Sequence, residues 1–343
     1  MADYQSLIPV NVITGFLGSG KTTLLQRLLA SPKLANTAVL INEFGEVSLD
    51  HLLLDVVDRE TVILESGCVC CTIRGDLAEA IRELHSKRER GIVPAFDRLA
   101  IETTGLADPA PIVSTLLAEP VLRHHFRLGN VITTVDAVNA RLHLRNNQES
   151  VKQAAVADRL VMTKSDIASL SAVETAKGLL SKLNHVAPIV DVHDETFDPE
   201  GLLTSDVYQA ESKAAEVRRW LEGEGSQTQD HDHDHDHGSR HGDDIQTFSL
   251  IADEPIDWTA FGIWLTMLLH RHGEQVLRVK GILNVAGQST PVIVHGVQHV
   301  IHPPAHLDDW PDDDHRSRIV FIMRGLDPAL IKRSLAAFNK LAA

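Results

Sequence analysis

Pro9-Val10-Asn11-Val12-Ile13-Thr14-Gly15-Phe16-Leu17-Gly18-Ser19-Gly20-Lys21-Thr22-Thr23-Leu24-Leu25 joins an apolar run, a glycine-rich loop and the start of an amphipathic pattern. The middle of this stretch, Gly15 to Thr22, matches GxxxxGK(S/T). In a phosphate loop, glycines let backbone N–H groups turn inward around an anion, a lysine reaches the β- and γ-phosphates, and a Ser/Thr hydroxyl is placed for Mg²⁺. Here those roles fall to Lys21 and Thr22, with Gly15, Gly18, Ser19, Gly20 and Thr23 completing the candidate nucleotide-binding set. Both flanks fit, because Pro9 to Thr14 reads as a strand and Leu24, Leu25, Leu28 and Leu29 fall on one helical face. A dinucleotide fingerprint does not fit, since Thr23 stands where GxGxxG needs its third glycine.

Working outward, further apolar runs of strand length fall at 38–42, 61–65, 98–102, 130–136, 158–163 and 187–190, separated by helix-type patterns at 76–88, 109–117, 150–156 and 172–184. Near-continuous apolar strands alternating with helices imply an α/β fold, a P-loop NTPase whose mostly parallel sheet is covered by helices on both faces. After Trp220 the composition changes, and 222–244 is nearly devoid of apolar side chains, so it cannot offset its ordering entropy and reads as a flexible linker. A second set of elements follows, with strands at 246–251, 275–282, 292–297 and 318–323 and helices at 258–271 and 328–341. The expected organisation is a P-loop domain over 1–221, a His/Asp-rich linker over 222–244 and a small α+β domain with an antiparallel sheet over 245–343.

The chain has 343 residues and a net charge of −15. Glu222 to Asp257 holds eleven acids and one base, and Asp308 to Asp314 five acids and none, so these two segments carry the whole excess and the remainder is neutral. With no basic stripe and an aromatic content of 4%, direct nucleic-acid binding is not expected. No apolar stretch approaches the roughly 20 residues needed to span a bilayer, and the N-terminus has no basic n-region, so neither a membrane nor a secretory role is expected. All three cysteines lie at Cys68, Cys70 and Cys71, too close together to staple a fold, which suits a reducing cytoplasm.

An acid at the tip of a neighbouring strand is needed to hold the Mg²⁺ shell, and Glu102 ends the run Arg98 to Ile101. It opens the ExxG sequence Glu102-Thr103-Thr104-Gly105, in which the Gly105 N–H is a candidate contact for the γ-phosphate. Lys21, Glu102 and Gly105 are therefore the candidate catalytic residues. Leu106 follows Gly105, where a water-orienting Gln or His would be expected, so intrinsic turnover should be slow. Thr163-Lys164-Ser165-Asp166 resembles the NKxD pattern, in which the aspartate accepts hydrogen bonds from guanine N1 and its exocyclic amine. Asp166 favours GTP over ATP, while Thr163 replaces the usual asparagine and alters one contact that braces the loop.

Gly67-Cys68-Val69-Cys70-Cys71 offers two or three thiolates from one short segment, poor for closed structural zinc but suited to a metal that is passed on. Soft thiolates favour Zn²⁺ or Cu⁺, with Co²⁺ also possible; buried inert thiols are the alternative. Glu43, after the strand ending at Asn42, lies where a nucleotide-sensing switch would start and is a candidate for Mg²⁺ or the thiol-bound metal, or a solvated loop acid. His231, His233, His235 and His237 alternate with aspartates, a tract suited to weak capture of several metal ions.

Taken together, 15–23, Asn42-Glu43-Phe44-Gly45, 67–71, Glu102 to Pro109, 163–166, the histidine tract and the segments near Trp310-Pro311 and Ser317 to Phe321 resemble the CobW-type GTPases, relatives of the HypB and UreG metallochaperones. The resemblance implies a GTPase that inserts or delivers a transition metal, commonly Zn²⁺, to a client protein. Members linked to cobalamin synthesis or nitrile hydratase activation handle Co²⁺. A metal store without client transfer and a P-loop kinase or ATPase acting on a small molecule are the competing readings, and the sequence does not set the oligomeric state.

Overall fold

The computed structural model describes residues 4–42, 63–66, 73–209, 212–225 and 245–342. Its central strand is β1 (Ile8–Gly15), buried from Val10 onward. Six more parallel strands, β2 (Thr37–Asn42), β3 (Ile63–Ser66), β4 (Arg98–Glu102), β5 (Phe126–Asp136), β6 (Arg159–Thr163) and β7 (Ile189–Asp191), complete a sheet in the order β3-β2-β4-β1-β5-β6-β7. The helices of this part are α1 (Lys21–Leu29), α2 (Ile73–Glu89), α3 (Ala110–Ala118), α4 (Leu122–His125), α5 (Ala140–Asn146), α6 (Gln148–Val156), α7 (Leu170–Leu183), α8 (Gly201–Thr204) and α9 (Lys213–Gly225).

Period-two alternation distributes the strand residues between two cores. Val10 and Val12 pack with Leu77, Ile81 and Leu84 of α2 and Val113 and Leu116 of α3. Ile13 points the other way, to Leu24, Leu25, Leu28 and Leu29 of α1. The sheet is thus covered on both faces, as the continuous apolar strands imply. The short helices α4, α5 and α8 were not legible as periodic patterns, being one or two turns long. α9 runs on to Gly225, into the stretch read as linker.

The C-terminal part is an antiparallel sheet of β8 (Ile245–Ala252), β9 (Val276–Leu283), β10 (Val292–Val297), β11 (Val300–Ile301), β12 (Ala305–His306) and β13 (Ser317–Arg324), ordered β11-β10-β9-β13-β8 with β12 on β10. On one face lie α10 (Trp258–His272) and α11 (Pro328–Ala342), burying Phe261, Trp264, Leu265, Leu269, Ile331 and Leu335. Asp257 caps α10 by accepting the Ala260 N–H. The opposite face docks on the P-loop domain. Ile282, Ile293, Leu307 and Val320 meet Val186, Val217, Trp220 and Leu221.

Charged side chains share this interface. Asp158, just before β6, accepts the Val131 N–H at 3.0 Å through Oδ2. Its Oδ1 pairs with the guanidinium of Arg278 and lies 3.2 Å from Lys280 Nζ. Arg278 also donates to the Val156 carbonyl at 3.2 Å. Burial alone would raise Asp158, but Arg278 and Lys280 hold its carboxyl well below the usual carboxylate range. Burial pushes Lys280 down to about 8 against the pull of Asp158.

Because the Asp158 carboxyl is depressed in the folded state, its contribution to stability is complete above the unfolded carboxylate value and declines as pH falls below it. Asp158→Ala leaves two buried cations without their counter-charge. Denaturant titration at pH 7 should record a loss of about 3–5 kcal/mol, and an unchanged midpoint would show that the interface does not depend on this carboxylate.

Candidate functional site

Strand order places the site. The chain moves to one side of β1 for β2 to β4 and to the other for β5 to β7, so β1 is the switch point at which a crevice opens beyond the carboxyl ends of the strands. The loop that leaves β1 there is Gly15 to Gly20. At Gly15, with φ of 142°, a Cβ would fall 2.3 Å from Thr134 Oγ1 and 2.5 Å from the Thr134 carbonyl, so no side chain fits. Gly20, with φ of 88°, is the left-handed N-cap that turns the loop into α1. The Lys21 Nζ donates to the carbonyls of Gly15 and Phe16 at 3.1 and 3.3 Å, lying across the loop. The Ser19 hydroxyl is 2.6 Å from that of Thr134, which ties the loop to β5.

On the β4 side, register pairs Ile13 with Glu102. Glu102 is buried, and the Thr22 hydroxyl donates to its Oε1 at 2.6 Å. A hydroxyl and a carboxylate converging beside the N-terminus of α1 form the hard-oxygen set that Mg²⁺ prefers. Beyond Glu102, the Thr103 N–H donates to the Ile13 carbonyl at 2.9 Å and its hydroxyl to Thr14 Oγ1 at 2.8 Å. Gly105 then rests on the phosphate loop itself: a Cβ there would come within 2.6 Å of the Leu17 nitrogen and 2.7 Å of its Cα. The fully buried Gln153 of α6 holds this loop, donating to the carbonyls of Gly105 at 3.2 Å and Ala107 at 2.9 Å. Asp108, three residues on, accepts from Lys152 at 3.4 Å and from Gln298 of the C-terminal domain at 3.2 Å.

On the β6 side, the Thr163 hydroxyl donates to the Ser19 carbonyl at 2.8 Å. Thr163 ends β6 in register with Asp136, and this places its hydroxyl behind the loop. Lys164, at a positive φ of 57°, donates to Asp136 Oδ2 at 2.7 Å. Asp136 also accepts from Asn139 at 2.9 Å. Burial opposes its charge, but these hydrogen bonds win and lower its pKa. The Ser165 hydroxyl donates to Asp191 at the end of β7. Asp166 remains half-exposed, with His193 Nε2 3.0 Å from its Oδ1.

Gly15 to Thr23, Glu102, Gly105 and Thr163 therefore converge from three separate segments, and Lys164 to Asp166 continue the last of them. Asp136, Gln153, Asp191 and His193 support them and were not singled out from the sequence. Asp136 was accessible to the same logic as Glu102, being an acid at the end of an apolar strand beside the phosphate loop. Gln153 was not, since nothing in a helix pattern shows which loop its side chain meets. Glu43, Cys68, Cys70, Cys71, His231, His233, His235 and His237 lie outside the described residues.

Residues 9–191 match the nucleotide-binding domain of the CobW/HypB/UreG family, and residues 245–339 match the C-terminal domain of the cobalamin synthesis protein CobW. The chain belongs to the CobW family. It is 32% identical to the zinc chaperone YjiA of Escherichia coli over 97% of this chain and 99% of that protein. It is 30% identical to the zinc chaperone CobW of Pseudomonas aeruginosa over 96% of this chain and 90% of that one. The crystal structure of zinc-bound YjiA superposes with a TM-score of 0.67 at 26% identity, covering 97% of this chain and 99% of that one. A zinc-bound triple mutant of YjiA gives a TM-score of 0.69 at 28% identity with the same coverage. The CobW family architecture thus extends through both domains.

Removing the brace between Thr163 and Ser19 should weaken nucleotide binding by the value of one hydrogen bond, about 0.5–1.5 kcal/mol, in Thr163→Ala. Thr163→Ser, which keeps the hydroxyl, should bind as the parent does. Titration with a fluorescent nucleotide reads both. Gly105→Ala forces the two loops apart, and nucleotide affinity should fall by more than tenfold in the same assay while the thermal midpoint changes by only a few degrees.

Proposed function

We propose that this chain is a GTP-hydrolysing zinc chaperone that carries Zn²⁺ on Cys68, Cys70 and Cys71 and hands it to a client protein under nucleotide control. The observation that carries the reading is the likeness to named zinc chaperones along the whole chain, in both domains, combined with a Gly-Cys-x-Cys-Cys segment. Those relatives' names favour zinc over cobalt. The division into a GTPase domain (1–221), a His/Asp linker (222–244) and a C-terminal domain (245–343) belongs to the same proposal, as does a cytoplasmic setting in which thiols stay reduced. Among the described residues no helix is long and apolar enough to cross a membrane.

The chemistry assigned to each residue follows from its position. Backbone N–H groups of Gly15 to Thr23 and the N-terminus of α1 take the phosphates, and Lys21 swings from the Gly15 and Phe16 carbonyls to neutralise the β- and γ-oxygens. Thr22 and Glu102, joined by Glu43, hold Mg²⁺, which supplies charge neutralisation at the phosphates. Gly105 offers its N–H at the γ-phosphate. Asp166 accepts from guanine N1–H and the exocyclic amine, with Thr163 and Lys164 holding the loop.

Loss of the γ-phosphate removes the partner of the Gly105 N–H and loosens the loop from Gly105 to Asp108. That loop reaches the C-terminal domain directly, since Asp108 meets Gln298. It also reaches it through α6, whose Gln153 holds the loop while its last carbonyl, that of Val156, accepts from Arg278. This double contact supports nucleotide control over the C-terminal domain, which we assign to client docking. His231, His233, His235 and His237 collect metal ions.

Reciprocity makes the control measurable. If a non-hydrolysable GTP analogue tightens zinc relative to GDP, zinc must tighten the analogue by the same factor. Equal zinc affinity in the two nucleotide states would remove nucleotide control from the function. Cys68→Ala/Cys70→Ala/Cys71→Ala should lose the tight zinc ion and keep nucleotide binding, whereas deletion of 230–237 should lose only weakly held metal. Gln298→Ala should bind nucleotide as the parent does while the zinc-to-nucleotide linkage factor shrinks.

A further inference from the structure

Asp166 sits on an exposed loop, and its carboxylate is left about half accessible. A carboxylate that must accept two hydrogen bonds from one edge of a base gains by being held in a single rotamer before the base arrives, because ordering it on binding costs free energy. Its neighbours in the chain are already anchored, Lys164 by Asp136 and Ser165 by Asp191. Neither of those bonds touches the Asp166 side chain.

The side chain that does touch it comes from a different segment. His193 follows β7, and its Nε2 lies 3.0 Å from Asp166 Oδ1. The imidazole is held at that place through its own backbone: the His193 N–H donates to Asp191 Oδ1 at 2.9 Å, and the same oxygen accepts from the Ser165 hydroxyl. Asp191 therefore fixes the spacing between the segment that carries Asp166 and the segment that carries His193. At this distance an Nε2–H can donate to the carboxylate, which only accepts when ionised. The contact is made at Oδ1, and the half-exposed carboxylate keeps acceptor capacity for a base.

We propose that His193 is a specificity-determining positioning residue, which holds the Asp166 carboxylate in the orientation that reads the N1–H and exocyclic amine of guanine. The proposal rests on Asp166 being the base-reading group. It differs from a purely structural role because its effect is confined to the base edge. Removing His193 should reduce discrimination between guanine and bases that lack the amine, and leave the phosphate contacts at Lys21 and Thr22 alone.

Affinities for GDP, inosine diphosphate and ADP, measured by competition against a fluorescent nucleotide, test this on the full chain. In the parent, GDP should bind best, since hypoxanthine lacks the exocyclic amine and adenine lacks both donors. His193→Ala should lower GDP affinity and narrow the GDP-to-inosine-diphosphate ratio by about threefold to tenfold, the scale of one side chain left to be ordered on binding, with ADP affinity unchanged. His193→Gln, whose amide can donate from a similar place, should restore most of the ratio. An unchanged ratio in His193→Ala, or equal losses for all three nucleotides in both variants, overturns the proposal.

Asp166→Asn separates this from failure of the underlying reading. If that variant prefers xanthosine diphosphate, whose C2 carbonyl accepts from the new amide, Asp166 reads the base and the His193 result stands or falls by itself. If it still prefers GDP over xanthosine diphosphate, Asp166 is not the reader and the role of His193 falls with it.

Discussion

The carboxyl end of β1 has no room to spare, and the arrangement of the site follows from that. Gly15 lies against Thr134 of β5 so closely that a single added carbon would overlap both its hydroxyl and its carbonyl. On the other side Gly105, beyond β4, lies against the backbone of Leu17. A phosphate loop pressed between two neighbouring segments cannot drift, so its N–H groups stay aimed at one place without a ligand to organise them. Such preorganisation is what lets backbone dipoles stabilise a phosphate at little further cost. The hydroxyls of Thr22, Ser19 and Thr163 then act as short ties between the loop and three different strands.

Those ties give each part of a nucleotide its own strand tip. Glu102 at the end of β4 meets the Thr22 hydroxyl, and Thr163 at the end of β6 meets the Ser19 carbonyl; in the proposed reading the first pair holds the cation and the segment after the second reads the base. Asp136 at the end of β5 lies between them and holds Lys164. Buried charges are costly unless compensated, and both Asp136 and Asp158 meet this condition with lysine or arginine partners across strand boundaries. The first of these pairs shapes the base loop. The second fastens the two domains.

The second domain is joined as part of one body of contacts. β9 alternates Val279 and Leu283 toward α10 and α11 with Arg278, Lys280 and Ile282 toward the P-loop domain, so both faces of a central antiparallel strand are buried. Because the loop after Gly105 touches both α6 and Gln298, a change at the phosphate has a packed route to this interface. Packed elements of this kind move between discrete positions more readily than they deform, which fits the proposed nucleotide control.

Much of this was legible in the chain. Period and glycine placement are local properties, so the strands at 9–14, 98–102 and 158–163, the phosphate loop and the helix after it could be read directly, as could the place of Glu102 at a strand tip beside the loop. The short helices escaped because one or two turns carry no period. Arg278 and Lys280 illustrate the deeper limit. In Leu277-Arg278-Val279-Lys280-Gly281-Ile282 the charges alternate as they would on a solvated face, and only docking against Asp158 turns that face inward. Gln153 on Gly105, Gln298 on Asp108 and His193 on Asp166 are likewise meetings of residues far apart in the chain. The sequence by itself determined the nucleotide chemistry, because a phosphate loop is built from consecutive residues whose backbone conformation is set by glycine. The tertiary structure decided what supports and senses that loop, because those contacts depend on which strands lie side by side, and strand order is a property of the packed chain.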